Sequence, residues 1–566
     1  MSANDKPSVT IDLITVEVVS RHVLAAAEEM GVVLMRTAFS PNIKERHDCS
    51  TAVFDAAGEV VAQAQHVPIH LGSMIGAIRS IRARYADAEM RPGDMFVAND
   101  PYNGGGSHLP DLNVVAPVFH DGRIAAFVAN IAHHADVGGM VPGSEAAVCE
   151  SIFQEGLRLP PVRLVSEGAL NRDIAEVIFL NSRTPEERKG DLNAQIAANR
   201  VGQRAIARLI ERYGLATYTA ALDVYLDYSE RRLRAAIDRL EPGTYRAEDL
   251  MSGIGDTLVR IACAAIVAPG RLTFDFDGTD PQIPSARNVP TQALAATVYT
   301  VMKALLDPDA PANGGAFRAV EIRAPAGCIV NPVPPAPVGA RSISCGVVDG
   351  VIVSALSAAM PAKRMAPSGP HHLLLVAGTD PRTGRYFVNY ETVAGALGAR
   401  AGHDGMDAVR TLSSGSANLP VEALEHAYPL RIERYALRSG SGGPGRYRGG
   451  DGLVRDYRVL ADDVAVSLTG ERQANPAAGV AGGGAGAVGE FVLDPGTDGE
   501  RRLPSAVKEM RLPRGTLLRV ATPGGGGFGA PADRDRTDVA ADLREGRIDP
   551  AGAALYRVED DKGKIH

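Results

Sequence analysis

The sequence predicts a mixed α/β, α+β multidomain fold, and three observations carry that reading. They are its length, a helical apolar period near its start, and short glycine-punctuated apolar runs towards its end. At 566 residues the chain is several times the usual domain size, which suggests roughly three to four domains. Residues 1–240 are expected to form a sheet-and-helix domain. Leu13, Val16, Val19, Val23 and Leu24 recur at helical spacing through to Met35, and Pro41 ends that helix. The runs Ala52–Phe54, Val60–Ala64, Met95–Ala98, Val114–Phe119 and Ile124–Ile131 follow, separated by DAAG, NDPYNGGGS and HDG turns, and read as strands of a hairpin sheet. Glu186 to Leu240 contains no proline and mixes charged with apolar positions at helical period, as two or three packed helices would. Residues 241–429 read as an α+β middle domain, with strands Val259–Val267, Arg271–Phe276 and Ala319–Arg323, proline-rich connections at Pro332–Pro337 and a helix near Val351–Met360. Residues 430–529 read as mostly β, with the glycine clusters GSGGPGRYRGGDG, AGGGAGAVG and TPGGGGFG as turns between strands. The tail 530–566 should carry a short helix around Val539–Leu543 that docks on another surface or trails in solvent.

Composition narrows the partners. The chain is 45% apolar and 22% charged, an ordinary globular profile. Its net charge of -8 and scattered Lys and Arg provide no basic face for nucleic acid or anionic lipid. The five cysteines, Cys49, Cys149, Cys263, Cys328 and Cys345, are widely spaced and never CxxC, so neither a disulfide framework nor a thiolate zinc site is expected. A reducing cytoplasm fits them. The N-terminal MSANDKPSVTIDLITVEVVSRHV lacks the order of a secretion signal, and the weakly polar run Gly346–Met360 is shorter than the about 20 apolar residues a bilayer requires.

The most specific local signal is NDPYNGGGSHLPD, where His108 and Asp111 are three apart and can converge on one turn. Downstream, IAHHADVGG places His133 and His134 at the end of an apolar strand, and a third ligand from that pair would leave an open fourth position for water. Neutral imidazoles and a carboxylate suit zinc, manganese or iron(II). Side chains alternate along a strand, so one of the two histidines faces the metal, and parity alone does not say which because both faces are apolar. Asp136, Asn99 and Asp100 read as turn or supporting residues, with Asp136 also able to orient a histidine or accept a proton. Arg46 and Arg341 could hold a carboxylate or phosphate bidentately, although ion pairs within the protein are the commoner use. His403, Asp404 and Asp407 in GHDGMD could line substrate, with loop solvation the blander reading. Gly524–Gly527 could let backbone approach substrate or partner, or form a flexible turn. No GxxxxGK[ST] loop is present, so a nucleotide would have to be bound by another chain.

Ordered motifs over most of the chain resemble the hydantoinase B/oxoprolinase family, which includes acetone and acetophenone carboxylase subunits. They include IKERHDCSTAVFD, AQHVPIHLGSM, GDMFVANDPYNGGGSHLPD, FVANIAHHADVGG, EGLRLPPVRL, FDFDGTDPQIPSARNVP, NLPVEALEHAYPLRIERY, SGGPGRYRGGDGLVR and TPGGGGFG. The resemblance implies a divalent metal, zinc, manganese or iron, on His108, Asp111 and His133, with Asp48 as a further ligand. It implies a metal-dependent subunit of an ATP-dependent cyclic-amide hydrolase acting on hydantoin, 5-oxoproline or lactam rings. A partner of the A type would bind ATP and phosphorylate the amide oxygen, in a hetero-oligomer such as A2B2. This chain would then hydrolyse the activated intermediate, with Asp48, His134 or Asp136 taking a proton from water. A ketone carboxylase subunit and a non-catalytic scaffold are the competing expectations.

Overall fold

The computed structural model describes residues 11–64 and 66–556. Residues 1–10, which open the stretch read above as lacking a secretion signal, and the end of the tail, 557–566, lie outside the described residues.

The first unit begins with α1 (Leu13–Thr37), whose Asp12 cap accepts from Thr15 N at 2.9 Å. It continues through α2 (Pro41–Lys44), β1 (Cys49–Asp55), β2 (Val60–Gln63), α3 (His70–Arg84), β3 (Met95–Ala98), β4 (Asp111–His120) and β5 (Arg123–His133). It ends with β6 (Val162–Ser166), β7 (Ala169–Leu170), α4 (Arg172–Leu180), α5 (Pro185–Tyr213) and α6 (Leu215–Ile237). The strands form one seven-stranded antiparallel sheet in the order β2-β1-β5-β4-β3-β6-β7.

Strand alternation gives this sheet two buried faces. Ala126, Val128 and Ala132 of β5, with Leu112, Val114 and Ala116 of β4, pack against α1, α5 and α6. The intervening positions, Phe127, Ala129 and Ile131 of β5 with Val115 of β4 and Ala52 and Phe54 of β1, pack against Leu71, Met74 and Ile78 of α3. A helix, sheet, helix sandwich results. Sequence periodicity misses α3. Gly72 and Gly76 interrupt its pattern and no side chain caps it, yet those glycines are what bring it close to its neighbours. A Cβ on Gly72 would lie 1.8 Å from the Gln292 carbonyl oxygen.

The second unit has β8 (Gly243–Ser252), β9 (Leu258–Ala268), β10 (Arg271–Asp275), α7 (Thr291–Leu306), α8 (Gly314–Phe317), β11 (Val320–Arg323) and α9 (Arg341–Ser357). Its four strands run in the order β11-β10-β9-β8, and α7 and α9 share one apolar core with them. Helix α9 starts earlier than the predicted Val351–Met360, which sets Arg341 on its first turn.

The third unit has β12 (His372–Thr379), β13 (Tyr386–Val393), α10 (Val421–Ala427), β14 (Leu430–Leu437), β15 (Leu453–Val459), β16 (Val464–Thr469), β17 (Glu490–Leu493), β18 (Arg501–Leu503), β19 (Ala506–Leu512) and β20 (Leu517–Ala521), followed by α11 (Arg536–Arg544) and α12 (Pro550–Ala553). Two sheets, β13-β12-β16-β19 and β14-β15-β20-β17-β18, close face to face over Leu374, Val376, Val466, Tyr457, Phe491 and Val520. The first of these sheets pairs β12 with β16, so it joins strands from both sides of the expected 429/430 boundary.

The glycine clusters differ from the expected turns. Gly524–Gly527 is a buried, extended segment held by backbone alone. Gly443 N donates to Gly525 O at 2.8 Å, Gly525 N to Gly450 O at 3.0 Å, Gly526 N to Pro367 O at 2.9 Å and Gly527 N to Gly484 O at 2.9 Å. Spacing is so close that a Cβ on Gly449 would stand 2.0 Å from Gly525 O, and one on Gly526 2.0 Å from Ala478 O. This is neither a flexible turn nor a surface for substrate. The GHDGMD segment anchors the tail: Asp404 pairs with Arg534 at 2.7 Å and Asp407 pairs with Arg547. No helix among the described residues is long and apolar enough to cross a membrane.

Candidate metal centre

Three strand ends and one loop build the site. Asp111 opens β4 and His133 closes β5, and the two are direct partners in the ladder. Both have odd parity with Ile131 and Phe127, which places them on the α3 face. His134 takes the opposite side, where its Nε2 bonds Gln195 Oε1 of α5 at 2.9 Å. Asp48 precedes β1 on the α3 side, and its carbonyl accepts from His133 N at 3.0 Å. The turn after Gly106 carries His108 to the same place.

His108 Nε2 stands 3.1 Å from Asp111 Oδ1, and ligand atoms of His108, Asp111 and His133 all lie within 4.8 Å of one another. The supports around them fix orientation. His108 Nδ1 donates to Gly339 O at 2.9 Å, which leaves Nε2 as the ring's lone-pair atom. Gly339 is itself held by Glu155, which accepts its N–H at 2.7 Å. Asp111 Oδ2 accepts from Arg341 at 2.6 Å and Ser107 at 3.0 Å, so only Oδ1 is open. The Asn42 amide lies 2.9 Å from His133 Nδ1 and 2.8 Å from the His133 carbonyl, and the Tyr390 ring covers His133 with centroids 4.1 Å apart.

Burial and charge set the protonation states that a cation requires. Burial, reinforced by Arg341, holds His108 below the ordinary imidazole value, and burial with His108 holds His133 well below it. For Asp111, burial pushes upward but His108, Arg341 and His70 outweigh it, and the carboxyl titrates well below its usual range. Neutral imidazoles beside an ionised carboxylate are ligand-competent. Three buried atoms here, His108 Nε2, Asp111 Oδ1 and His133 Nε2, have no hydrogen-bond partner. Buried polar atoms are rarely left so, and a shared divalent cation would satisfy the group. The residues present therefore fit a metal ion.

Sequence reasoning misses two members of the cluster. His70, the first residue of α3, places Nε2 3.6 Å from Asp48 and 3.8 Å from Asp111, with Nδ1 3.0 Å from Ser50 Oγ. Glu145 approaches His133 Nε2 at 3.6 Å and His108 Nδ1 at 3.8 Å, and its carboxyl is pushed up to about 8 by burial. The motif AQHVPIHLGSM contains His70, but only the packing of α3 under β1 and β4 brings it here. Glu145 sits in a loop with no periodic signal.

Two expected participants are engaged elsewhere. His134 is pushed down to about 4 by burial and Arg188, and its ring serves the Gln195 network behind the sheet. Asp136 accepts from Arg183 N and Nη1 at 2.7 and 2.8 Å and from Gly143 N at 3.0 Å, organising the loop after β5. The structure does not bring either side chain to the His108, Asp111 and His133 group. Asn99 and Asp100 are loop organisers, as expected: Asp100 accepts from Tyr102 N and Asn103 N, both at 2.8 Å. Arg341 forms an ion pair within the protein, with Asp111.

The family model for hydantoinase B/oxoprolinase matches residues 12–531. The B-type component of a putative D-/L-hydantoinase from Pseudomonas sp. strain NS671 is 34% identical over 95% of this chain and 93% of its own length. The crystal structure of an ATP-dependent caprolactamase from Pseudomonas jessenii superposes with a TM-score of 0.89 at 28% identity, covering 98% of both chains. A nucleotide-free acetone carboxylase shares the fold at a TM-score of 0.87 and 20% identity, covering 98% of this chain and 81% of that one. By its matched sequence and by its fold, this chain belongs to the hydantoinase B/oxoprolinase family.

Proposed function

We propose that this chain is the B-type, metal-dependent subunit of an ATP-dependent cyclic-amide hydrolase, and that it hydrolyses an intermediate phosphorylated by an ATP-binding A-type partner. The observation that carries this reading is the set of unpartnered, buried ligand atoms on His108, Asp111 and His133. The Pseudomonas relative is named as one component of a larger enzyme, which supports a hetero-oligomer such as A2B2. The absence of a GxxxxGK[ST] loop supports nucleotide binding on the partner.

His108, Asp111 and His133 would hold zinc, manganese or iron(II), with Asp48 as the further carboxylate. When bound, such an ion acidifies water and polarises a carbonyl oxygen. The protein contributes the rest. Arg341 and Ser107 fix the Asp111 carboxylate so that one oxygen points inward, and Gly339 fixes the His108 ring. Asp48 is the most exposed member, with a side chain 9% accessible. Its carboxylate would take the proton that water loses on attack. The surrounding burial excludes other water.

The test is co-expression with an A-type partner, followed by ATP-dependent turnover of hydantoins, 5-oxoproline and lactams, and of ketones with bicarbonate. Ring opening that requires ATP and disappears in His108→Ala is the expected result. Carboxylated ketone without ring opening would replace this reading with the carboxylase branch, whose fold the acetone carboxylase likeness shares. Full activity in a metal-free His108→Ala complex would reduce the chain to a scaffold.

A further inference from the structure

Buried arginines in this chain usually face a carboxylate: Arg287 pairs with Glu471 at 3.0 Å, Arg455 with Glu391 at 2.5 Å and Arg341 with Asp111 at 2.6 Å. Buried Arg46 and partly buried Arg410 do not. Both guanidiniums donate to one hydroxyl oxygen, Thr392 Oγ1, at 2.5 and 2.6 Å. Their remaining bonds also go to neutral acceptors. Arg46 donates to Asn42 Oδ1, Tyr390 O, Ala417 O and Ser416 Oγ, and Arg410 to Thr392 O and Asn418 Oδ1. Among the described residues, neither has a carboxylate within ion-pair distance.

Two like charges are thus converged on one hydroxyl with no directly paired carboxylate, Asp48 and Glu391 acting on Arg410 only from beyond ion-pair distance. A buried pair so incompletely compensated is costly, and a bound anion would offset it. The strain of this arrangement registers on Arg410, whose guanidinium is pushed down to about 9 by burial and then by Arg46.

The pair adjoins the metal centre. Arg46 Cζ stands 5.3 Å from the centre of the Tyr390 ring, and that ring lies against His133. Asn42 bridges Arg46 to His133 directly. Arg410 is only partly buried, and the segment that follows it, Thr411 to Asn418, includes exposed Gly415.

We propose that Arg46 and Arg410 form an oxyanion subsite beside the metal centre that binds a phosphate or carboxylate group of the reacting molecule. The hydrolase reading above supplies the need for one, because a phosphorylated amide carries a phosphate and ring opening creates a carboxylate. A guanidinium pair matches either group with forked hydrogen bonds. Arg410, at the open end, contacts the anion, while fully buried Arg46 supports it from beneath.

Isothermal titration of the purified full chain with inorganic phosphate, and separately with acetate, tests this on wild type, Arg410→Gln and Arg410→Lys. Circular dichroism and metal content are measured on the same samples. The expected result is saturable binding that weakens about tenfold or more in Arg410→Gln, with metal content unchanged. Arg410→Lys, which keeps the charge and loses the fork, should fall between. Stronger binding of phosphate assigns the subsite to the activated intermediate, and stronger binding of acetate to the opened product. Equal affinity in wild type and a folded Arg410→Gln, or no saturable heat with either anion, overturns the proposal. Should Arg410→Gln misfold, unchanged affinity in Arg410→Lys overturns it equally. Anion binding without ATP-dependent turnover would leave the subsite standing and remove the hydrolase reading; turnover without anion binding would do the reverse.

Discussion

Asp111 and His133 are Cα partners across β4 and β5, and this one pairing carries the HLPD turn and the first residue of the His-His pair onto the same face of one sheet. A ladder position is fixed by many hydrogen bonds at once, so the two side chains are positioned far more firmly than residues on separate loops would be. A one-residue slip would replace His133 by Ala132 or His134 and send the imidazole to the other face.

His108→Ala and His134→Ala should therefore behave oppositely. The first removes an inward ligand and is expected to abolish stoichiometric metal in the purified chain, measured by inductively coupled plasma mass spectrometry. The second cuts the bond to Gln195 behind the sheet, costing stability of about 1–3 kcal/mol while metal content stays at the wild-type level. Loss of metal from a folded His134→Ala would contradict the assignment.

Arg341→Met leaves the fully buried Asp111 without its cation. Breaking such a pair costs roughly 3–5 kcal/mol because a lone charge stays behind. A divalent ion held by Asp111 would supply a substitute charge, so the fall in Tm should be large in the presence of chelator and smaller after metal is restored. Differential scanning calorimetry of both forms decides it, and an equal drop in each would show that Asp111 does not face the ion.

Asp349 gives a pH test away from the candidate metal site. It is buried in α9, accepts from Ser413 N and Oγ at 3.2 and 3.0 Å, and is pushed up from 3.8 to about 7, mainly by burial. A raised acid binds its proton more tightly when folded, so its contribution to stability is fully present below pH 3.8 and is lost as pH rises to about 7. Asp349→Asn removes that slope. Its Tm relative to wild type should improve steadily across this window and level off above it, and a constant difference would refute the shift.

Gly449→Ala forces a methyl to 2.0 Å from Gly525 O, backbone that cannot move aside. We expect a loss at or beyond the upper end of the about 1–3 kcal/mol typical of overpacking, read as lowered Tm and soluble yield. Gly350→Ala in α9 is the control. Its Cβ meets nothing within 4 Å, and helix propensity should make it neutral or slightly stabilising.

Much of this is legible in the sequence, and the residues explain where legibility stops. Helix α1, strands β4 and β5, and the paired helices α5 and α6 announce themselves by periodicity, because each buries a regular stripe. His108 and Asp111 are visible through their spacing on one turn. Choosing between His133 and His134 needs the identity of the layer on each face, a tertiary fact: α3 brings His70 and α5 brings Gln195. Helix α7, like α3, carries no side-chain cap to mark its start. Glu145, Tyr390 and Arg410 reach the centre from loops and from strands distant in the chain, so no local pattern marks them.

The glycine-built core of the third unit also imposes an order on biosynthesis. Its last contributor, residues 524–529, leaves the ribosome after every other segment it touches. Until then the carbonyls of Pro367, Gly450 and Gly484 await their donors and remain solvated. This unit closes only after residues 524–529 have been translated, and the nascent polypeptide must stay soluble throughout that wait.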